Sequence, residues 1–208
     1  MFPHRLPSPV RSAARATLAP HRLNTATPAA AEADLLTCCG SRRWARRVAA
    51  HRPYPDLDAL LAASDEATYD LSPADLAEAL ACEPSDPLDS LAPHRGAGHT
   101  TYTAAHTALR AAHAAYESRF GHSFVICLDD VAPDEALDQL LSGIRSRLGN
   151  DPEDERAVAA DELRRLTRGR LARLTLCQAA ENAARQAPQH AAREGRPQSR
   201  PDSPYVPV

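Results

Sequence analysis

Apolar residues in the second half of the chain recur every three or four positions, and this spacing constrains the fold more strongly than any other feature. Residues three or four positions apart share one face of an α-helix, whereas a half-buried strand needs strict alternation. The spacing therefore predicts two amphipathic helices, each with one buried face. The residues that follow it are Leu137, Leu140, Leu141, Ile144 and Leu148 in the first helix and Val158, Leu163, Leu166, Leu171 and Leu174 in the second.

Proline, glycine and acidic residues mark the ends of these two helices. Pro133 is expected to open the first, and Gly149-Asn150 to end it, because both residue types tolerate the left-handed conformation of a C-cap. Asp151 can cap the second helix, with Pro152 at its first position. We expect this helix to run to about Leu176, where the apolar period is lost.

The first half of the chain shows the same period in shorter stretches. One is expected to bend at Gly40-Ser41, and another covers residues 57–71. Their inward residues are Leu35, Cys38, Cys39, Trp44 and Val48, then Leu57, Leu60, Leu61, Ala67 and Leu71. A long Ala-rich helix is predicted over about residues 101–119. The apolar run "FGHSFVICL" after it is either a buried extended segment or a helix start.

The segment "SPADLAEALACEPSDP", residues 72–87, predicts a short helix with an abrupt end. Ser72 can cap it, Asp75 stands at the capping-box spacing, and Pro84 ends the pattern. Residues 85–99, rich in Pro, Gly, Ser and His, are then a predicted loop. The helix therefore delivers Glu83 to the edge of a loop.

The composition agrees with an all-α fold. Aromatic residues are few, with three Phe, five Tyr and one Trp, and alanine is abundant, which favours helices packed closely over small side chains. We predict a compact bundle of about six to eight helices. Residues 1–30 carry arginine and proline without acids and are expected to form a disordered arm. Residues 31–178 form the helical domain, and residues 179–208 a disordered tail rich in Pro, Gln and Arg.

Charge and cysteine usage exclude several functional classes. All 24 basic residues are arginine, which excludes a lysine Schiff base and a P-loop lysine. The net charge of −3 gives no reason to expect a nucleic-acid or acidic membrane partner. The basic run Arg42, Arg43, Arg46 and Arg47 lacks aromatic partners and predicts a solvated face that pairs with acids of another helix.

Five cysteines without a C-x-x-C pair argue against a disulfide framework or a zinc knuckle. We expect them to be free thiols that act as small apolar residues in a reducing cytoplasm. No run of 18 apolar residues is present, so a membrane span is not expected.

Two blocks of the sequence together resemble the 2-oxo-4-hydroxy-4-carboxy-5-ureidoimidazoline (OHCU) decarboxylase family. They are "LLTCCGSRRWA" and the stretch from "AYESRFGHSFVICL" to "RGRLARL". The resemblance covers about residues 32–176. The matching residues are Cys38-Cys39-Gly40-Ser41, Trp44, Tyr116, Arg119-Phe120-Gly121, Arg147-Leu148, Asn150-Asp151, Glu155, Glu162 and Arg170-Leu171.

This resemblance implies an all-helical enzyme of urate and purine breakdown, usually a homodimer, that works without a metal or an organic cofactor. Its substrate is a small ureide, OHCU, which it decarboxylates to (S)-allantoin with stereospecific delivery of one proton. The reaction needs donors that stabilise the electron density left by the carboxylate, and a group that handles the proton near neutral pH. Histidine suits the second task because of its ordinary pKa.

The active-site pattern of the family is incomplete in this chain. The family ends the corresponding helix with a His-Pro pair, and its histidine is the proposed acid/base, whereas this chain has Glu83-Pro84. The family's Ser-x-x-Glu-Gln motif has no counterpart, and Asp129 stands where some members carry arginine. Glu83 is a candidate catalytic residue, but a charged surface residue at a helix end is the interpretation we favour.

Histidines of the Ala-rich helix offer a replacement for the missing acid/base. His106 is the main candidate, and His113 takes the place of an asparagine of the family. Exposed histidines without a function are the simpler interpretation. Their spacing of seven residues puts them about 10 Å apart along a helix, too far to share a metal ion, so no metal site is predicted.

Substrate contacts are predicted at four positions, Arg170, His113, Ile126 and Cys127. Arg170 matches the family and suits carboxylate binding, although a salt bridge to Glu162 or another acid would explain it equally well. Cys127 is expected in the core and not as a nucleophile. The leading hypothesis is a cytoplasmic OHCU decarboxylase. The alternative is a degenerate paralogue of the same fold that binds a small ligand or a protein.

Overall fold

The computed structural model describes residues 19–84 and 103–194, except for the side chains of residues 103–106, 183 and 186–194. Every regular element in these ranges is a helix, which confirms the predicted all-α fold and a helix number within six to eight for this part of the chain. In chain order the helices are α1 (His21–Thr25), α2 (Pro28–Leu36), α3 (Arg42–Ala50), α4 (Leu57–Tyr69), α5 (Pro73–Ala81), α6 (Thr103–Phe120), α7 (Ala136–Arg147) and α8 (Pro152–Glu194).

The larger of two apolar clusters joins α1 to α5 with the first half of α8. The inward residues predicted for residues 35–67 are all buried in it, and Leu71 packs against it while half-buried. α8 contributes Leu163 and Leu171, both fully buried. Each large side chain that is fully buried contributes about 1.5–3 kcal/mol, so this apolar face holds α8 against the first five helices.

The second cluster is formed by α6, α7 and the extended segment of residues 123–128. Phe124 and Leu128 point into this cluster, whereas Val125 points into the first one. Successive side chains of an extended backbone face opposite sides, so the segment can serve both clusters. Of the two alternatives for "FVICL", a helix start is excluded, and the non-helical segment lies between the two cores.

The predicted helix starts are confirmed where a capping side chain was visible in the sequence. Ser72 and Asp75 form the predicted capping box at the start of α5. At Ser41, where a bend was predicted, the side chain also caps α3 by accepting the backbone N–H of Trp44. Asp151 accepts the N–H of Glu153 at 2.9 Å at the start of α8. These caps satisfy N–H groups that the first turn of a helix cannot use internally.

Several helix limits differ from the prediction. α7 begins at Ala136, because Pro133 opens a turn before the helix. At its other end the C-cap is Leu148 in a right-handed conformation, and Gly149 has no positive φ. α8 continues to Glu194 and not to about Leu176. Residues 176–187 contain neither Gly nor Pro and are rich in alanine, so propensity extends the helix without an apolar stripe.

The expected N-terminal arm is folded at its end, since α1 lies within residues 1–30 and buries Leu23 in the first cluster. The predicted loop of residues 85–99 lies outside the described residues. The basic face of α3 pairs with acids as predicted, through Arg42 with Glu78 and Arg47 with Asp70. None of the helices in the described ranges has the length and apolar character of a membrane span.

Candidate active site

The turn between α2 and α3 packs directly against the end of α5. A Cβ on Gly40 would overlap Cys82 Cβ and lie 2.6 Å from Cys82 Sγ and 3.3 Å from the carbonyl oxygen of Ala79. Only glycine allows the two backbones to approach so closely. The glycine of the "CCGS" motif therefore fixes where α5 ends, and with it the position of Glu83.

Glu83 forms a bidentate ion pair with Arg170 of α8. Arg170 Nη1 donates to Glu83 Oε1 and Nη2 donates to Oε2, each at 2.7 Å. Glu83 is only 8% exposed, which contradicts its interpretation as a surface residue. The salt bridge predicted as an alternative for Arg170 exists, and the acid that forms it is Glu83. Two predicted site residues thus lie in direct contact.

The environment of Arg170 keeps its guanidinium charged. The hydrogen bonds to Glu83 raise the pKa of Arg170, and Nη1 also donates to the carbonyl oxygen of Cys38 at 3.2 Å. Burial raises the thiol pKa of both Cys38 and Cys39. These two cysteines therefore remain neutral thiols near pH 7 and are not activated nucleophiles.

One edge of the Arg170 guanidinium has no acceptor among the described residues. Both Nη1 hydrogens and one Nη2 hydrogen are donated to Glu83 and Cys38, which leaves the Nε–H and the second Nη2–H. No group among the described residues accepts from this edge, and the side chain is 28% exposed. The two free donors have the spacing that a carboxylate accepts in a bidentate geometry.

The extended segment that carries Ile126 and Cys127 is anchored to α8. The carboxylate of Glu162 accepts the backbone N–H of Cys127 at 2.8 Å. Two residues later Asp129 pairs with Arg173 at 2.9 Å and lies so close to Gly169 that a Cβ there would overlap its carboxylate. The segment therefore runs along α8 toward the turn that bears Arg170.

Ile126 and Cys127 occupy different environments in this segment. The Ile126 side chain packs against the second cluster, and a Cβ on Gly143 would lie 3.0 Å from its Cδ1. Cys127 is half-buried, and burial raises the pKa of its thiol, so the expectation of an unreactive cysteine is consistent with the structure. Its N–H is already used by Glu162, so a substrate contact through that group would require this hydrogen bond to break.

A buried polar network fixes the other end of the segment. Glu155 is fully buried and accepts hydrogen bonds from Tyr116, from Arg147 and from Asn150. Arg147 also donates to the carbonyl oxygen of Val125 at 2.6 Å. Burial alone would raise the pKa of Glu155, but these hydrogen bonds outweigh it and lower the pKa. These matches to the family therefore hold the segment in place from inside the fold.

The candidate histidines are not brought to the ion pair by any described contact. His113 is 3% exposed, which contradicts its interpretation as an exposed residue, and its Nδ1 lies 3.7 Å from Glu117 Oε1. His106 lies on α6, but its side chain is outside the described residues. Both assignments stay predictions, as do the substrate contacts at His113, Ile126 and Cys127.

The described residues contain no group of three His, Cys, Asp or Glu side chains that could hold a metal ion. A cavity of about 260 Å³ lies elsewhere, between α1 and the second half of α8, lined by residues such as Arg22 and Gln178. The sequence did not reveal the direct contact of Glu83 with Arg170, although an acid at the position of the family's histidine and a family-matched arginine were a usable signal.

Three comparisons with known proteins agree. The profile of the OHCU decarboxylase family matches residues 24–172. A 2-oxo-4-hydroxy-4-carboxy-5-ureidoimidazoline decarboxylase from Amia calva is 34% identical over 84 residues, which is 40% of this chain and 46% of that protein. The chain thus aligns with about half the length of this curated relative.

Two solved structures share the fold. A structure of OHCU decarboxylase in the presence of (S)-allantoin has a TM-score of 0.58 at 24% identity, over 68% of this chain and 96% of that chain. An (S)-allantoin synthase structure has a TM-score of 0.57 at 16% identity, over 76% of this chain and 53% of that chain. With the family profile matching most of the 208 residues, the chain belongs to the OHCU decarboxylase family.

Proposed function

We propose that this protein is a cofactor-free decarboxylase that converts OHCU, a small ureide, to (S)-allantoin. The observation that carries the proposal is Arg170, which matches the family and has one guanidinium edge without an acceptor in the described part of the chain. A cytoplasmic location, a homodimer and a domain of residues 31–178 belong to the same proposal.

The reaction sets three tasks for the residues of the site. The carboxylate must be held, the C–C bond to it must break with its electron pair remaining on the ring, and one proton must replace the departing carbon dioxide. The open edge of Arg170 can hold a carboxylate or the negative charge that develops on the ring. Because the charge on the ring is larger in the transition state than in the bound substrate, a fixed cation beside the ring lowers the barrier.

The proton needs a group other than Glu83. Both oxygens of that carboxylate already accept hydrogen bonds from Arg170, so this geometry leaves Glu83 committed to the ion pair. We propose His106 for the transfer, because an imidazole can give and take a proton near pH 7. Ile126, Cys127 and His113 are proposed to line the ring and ureido groups.

The test is stereospecific turnover. OHCU is generated in solution, and its conversion to (S)-allantoin is followed by circular dichroism against spontaneous decay. We expect acceleration by the protein, and a fall of at least about 100-fold in kcat/KM for Arg170→Gln, as for the loss of one charge-stabilising donor. Arg168→Gln is the matched control, since Arg168 lies on the same helix but pairs with Asp65.

No acceleration above spontaneous decay by the folded protein would reject the decarboxylase and leave the ligand-binding paralogue. Equal activity of the Arg170→Gln variant and the parent would reject the role of Arg170. His106→Ala separates the proton step, because its turnover should fall while binding of (S)-allantoin is retained.

A further inference from the structure

Glu83 occupies half of the hydrogen-bonding capacity with which Arg170 could hold an anion. A guanidinium presents two bidentate edges, and the end-on edge formed by Nη1 and Nη2 is filled by the two oxygens of Glu83 at 2.7 Å. The site that receives a carboxylate substrate in the proposed function therefore already contains a carboxylate of the protein.

The charge balance at this position is also altered by Glu83. Hydrogen bonds to Glu83 raise the pKa of Arg170, so the pair consists of one cation and one anion with no net charge. No third charged side chain among the described residues pairs with either member. A carboxylate that approaches the open edge is attracted by Arg170 and repelled by Glu83 within a few ångströms.

We propose that Glu83 is a specificity-determining residue that restricts carboxylate binding at Arg170 to its side-on edge, formed by Nε and Nη2, and weakens it. The inference rests on the proposed function in that it takes Arg170 as part of the ligand site. As a consequence, the site binds carboxylate-bearing ureides less tightly, relative to neutral ureides, than a site with an unpaired arginine would.

The geometry gives this residue little freedom to move aside. Gly40 holds the end of α5 against the turn that contributes the Cys38 carbonyl, and Glu83 is only 8% exposed. The end-on edge is therefore not released when a ligand arrives, and discrimination between neutral and anionic ligands is built into the fold.

The test compares two ureides that differ in charge. Dissociation constants of diureidoacetate, a carboxylate, and of (S)-allantoin, which is neutral, are measured by isothermal titration calorimetry for the full chain and for Glu83→Gln. We expect Glu83→Gln to bind diureidoacetate about tenfold more tightly, since unit charges a few ångströms apart in a half-exposed site interact between the bulk-water and interior limits. Its affinity for (S)-allantoin should stay within about twofold.

Glu78→Gln is the matched control. It makes the same substitution on the helix that directly precedes Glu83 and changes the net charge equally, but Glu78 pairs with Arg42 of α3. Both affinities should stay within about twofold of the parent in this variant. An equal gain for diureidoacetate in Glu78→Gln would attribute the effect to overall charge and overturn the proposal.

Other outcomes are equally decisive. Unchanged or weaker binding of diureidoacetate by folded Glu83→Gln, or no binding of it by either protein, overturns the inference. If Glu83→Gln does not fold, Glu83→Asp replaces it. The shorter side chain keeps the charge but cannot place both oxygens against Arg170, so we expect the affinity for diureidoacetate to rise about twofold. A parent that fails to decarboxylate OHCU but shows the predicted binding pattern rejects the proposed function and retains this one.

Discussion

The close approach at Gly40 predicts that a single methyl group will damage both stability and the site. In Gly40→Ala the new Cβ would lie 2.6 Å from Cys82 Sγ and 3.3 Å from the carbonyl oxygen of Ala79. Carbon contacts are favourable near 3.5–4.0 Å, so the end of α5 must retreat by about 1 Å. Glu83 follows Cys82 directly and would move with it.

The magnitude follows from the cost of overpacking a rigid contact. Inserting a methyl group where neighbours cannot relax costs about 1–3 kcal/mol. For a chain of this size that corresponds to a fall in Tm of roughly 2–12 °C. Because the bidentate geometry of Glu83 and Arg170 depends on the same helix end, ligand affinity should change together with stability.

Urea denaturation followed by far-ultraviolet circular dichroism measures the stability change. Gly149→Ala is the control, because its nearest neighbour is 3.8 Å from the new Cβ and Gly149 has no positive φ. This control should be neutral or stabilising by about 0.4–1 kcal/mol. The double variant Gly40→Ala/Cys82→Gly should recover part of the loss, because it removes the side chain that clashes. Equal stability of the two alanine variants would refute the reasoning.

Two further predictions concern the buried network and the thiols. Because its folded pKa lies below its ordinary value of 4.5, Glu155 stabilises the fold above that pH, and the contribution is lost as pH falls through the folded pKa. Glu155→Gln should cost about 3 kcal/mol at pH 7 and flatten the acid limb of the stability curve, measured by urea titration at several pH values. Cys82 and Cys177 are exposed and should react rapidly with a thiol reagent, whereas Cys38 and Cys39 should react only on unfolding.

Each of these two predictions has its own contrary result. Glu153 lies on the exposed face of the same first turn of α8, so Glu153→Gln should leave the acid limb unchanged. Parallel pH curves for Glu155→Gln and the parent would contradict the role of Glu155. Rapid modification of Cys38 or Cys39 in the native protein would contradict their burial.

Local features of the sequence predicted the helices well because their causes are local. The period of the apolar residues identified the buried faces of α3 and α4, and Ser72 with Asp75 identified the start of α5. The predicted helix limits were wrong where no local signal in the sequence determined them. Pro133 can open a turn as well as a helix, and the alanine-rich continuation of α8 needs no apolar stripe to remain helical.

The amino-acid sequence by itself determined the all-α class, the caps and the identity of the charged residues near the candidate site. Only the tertiary structure decided which of them meet. Glu83 and Arg170 are 87 positions apart, and their contact depends on the close approach of Gly40 to Cys82, which places the end of α5 beside α8. A helical period specifies which face of each helix is buried, but not which helix end lies opposite a given side chain, because that depends on packing between distant segments.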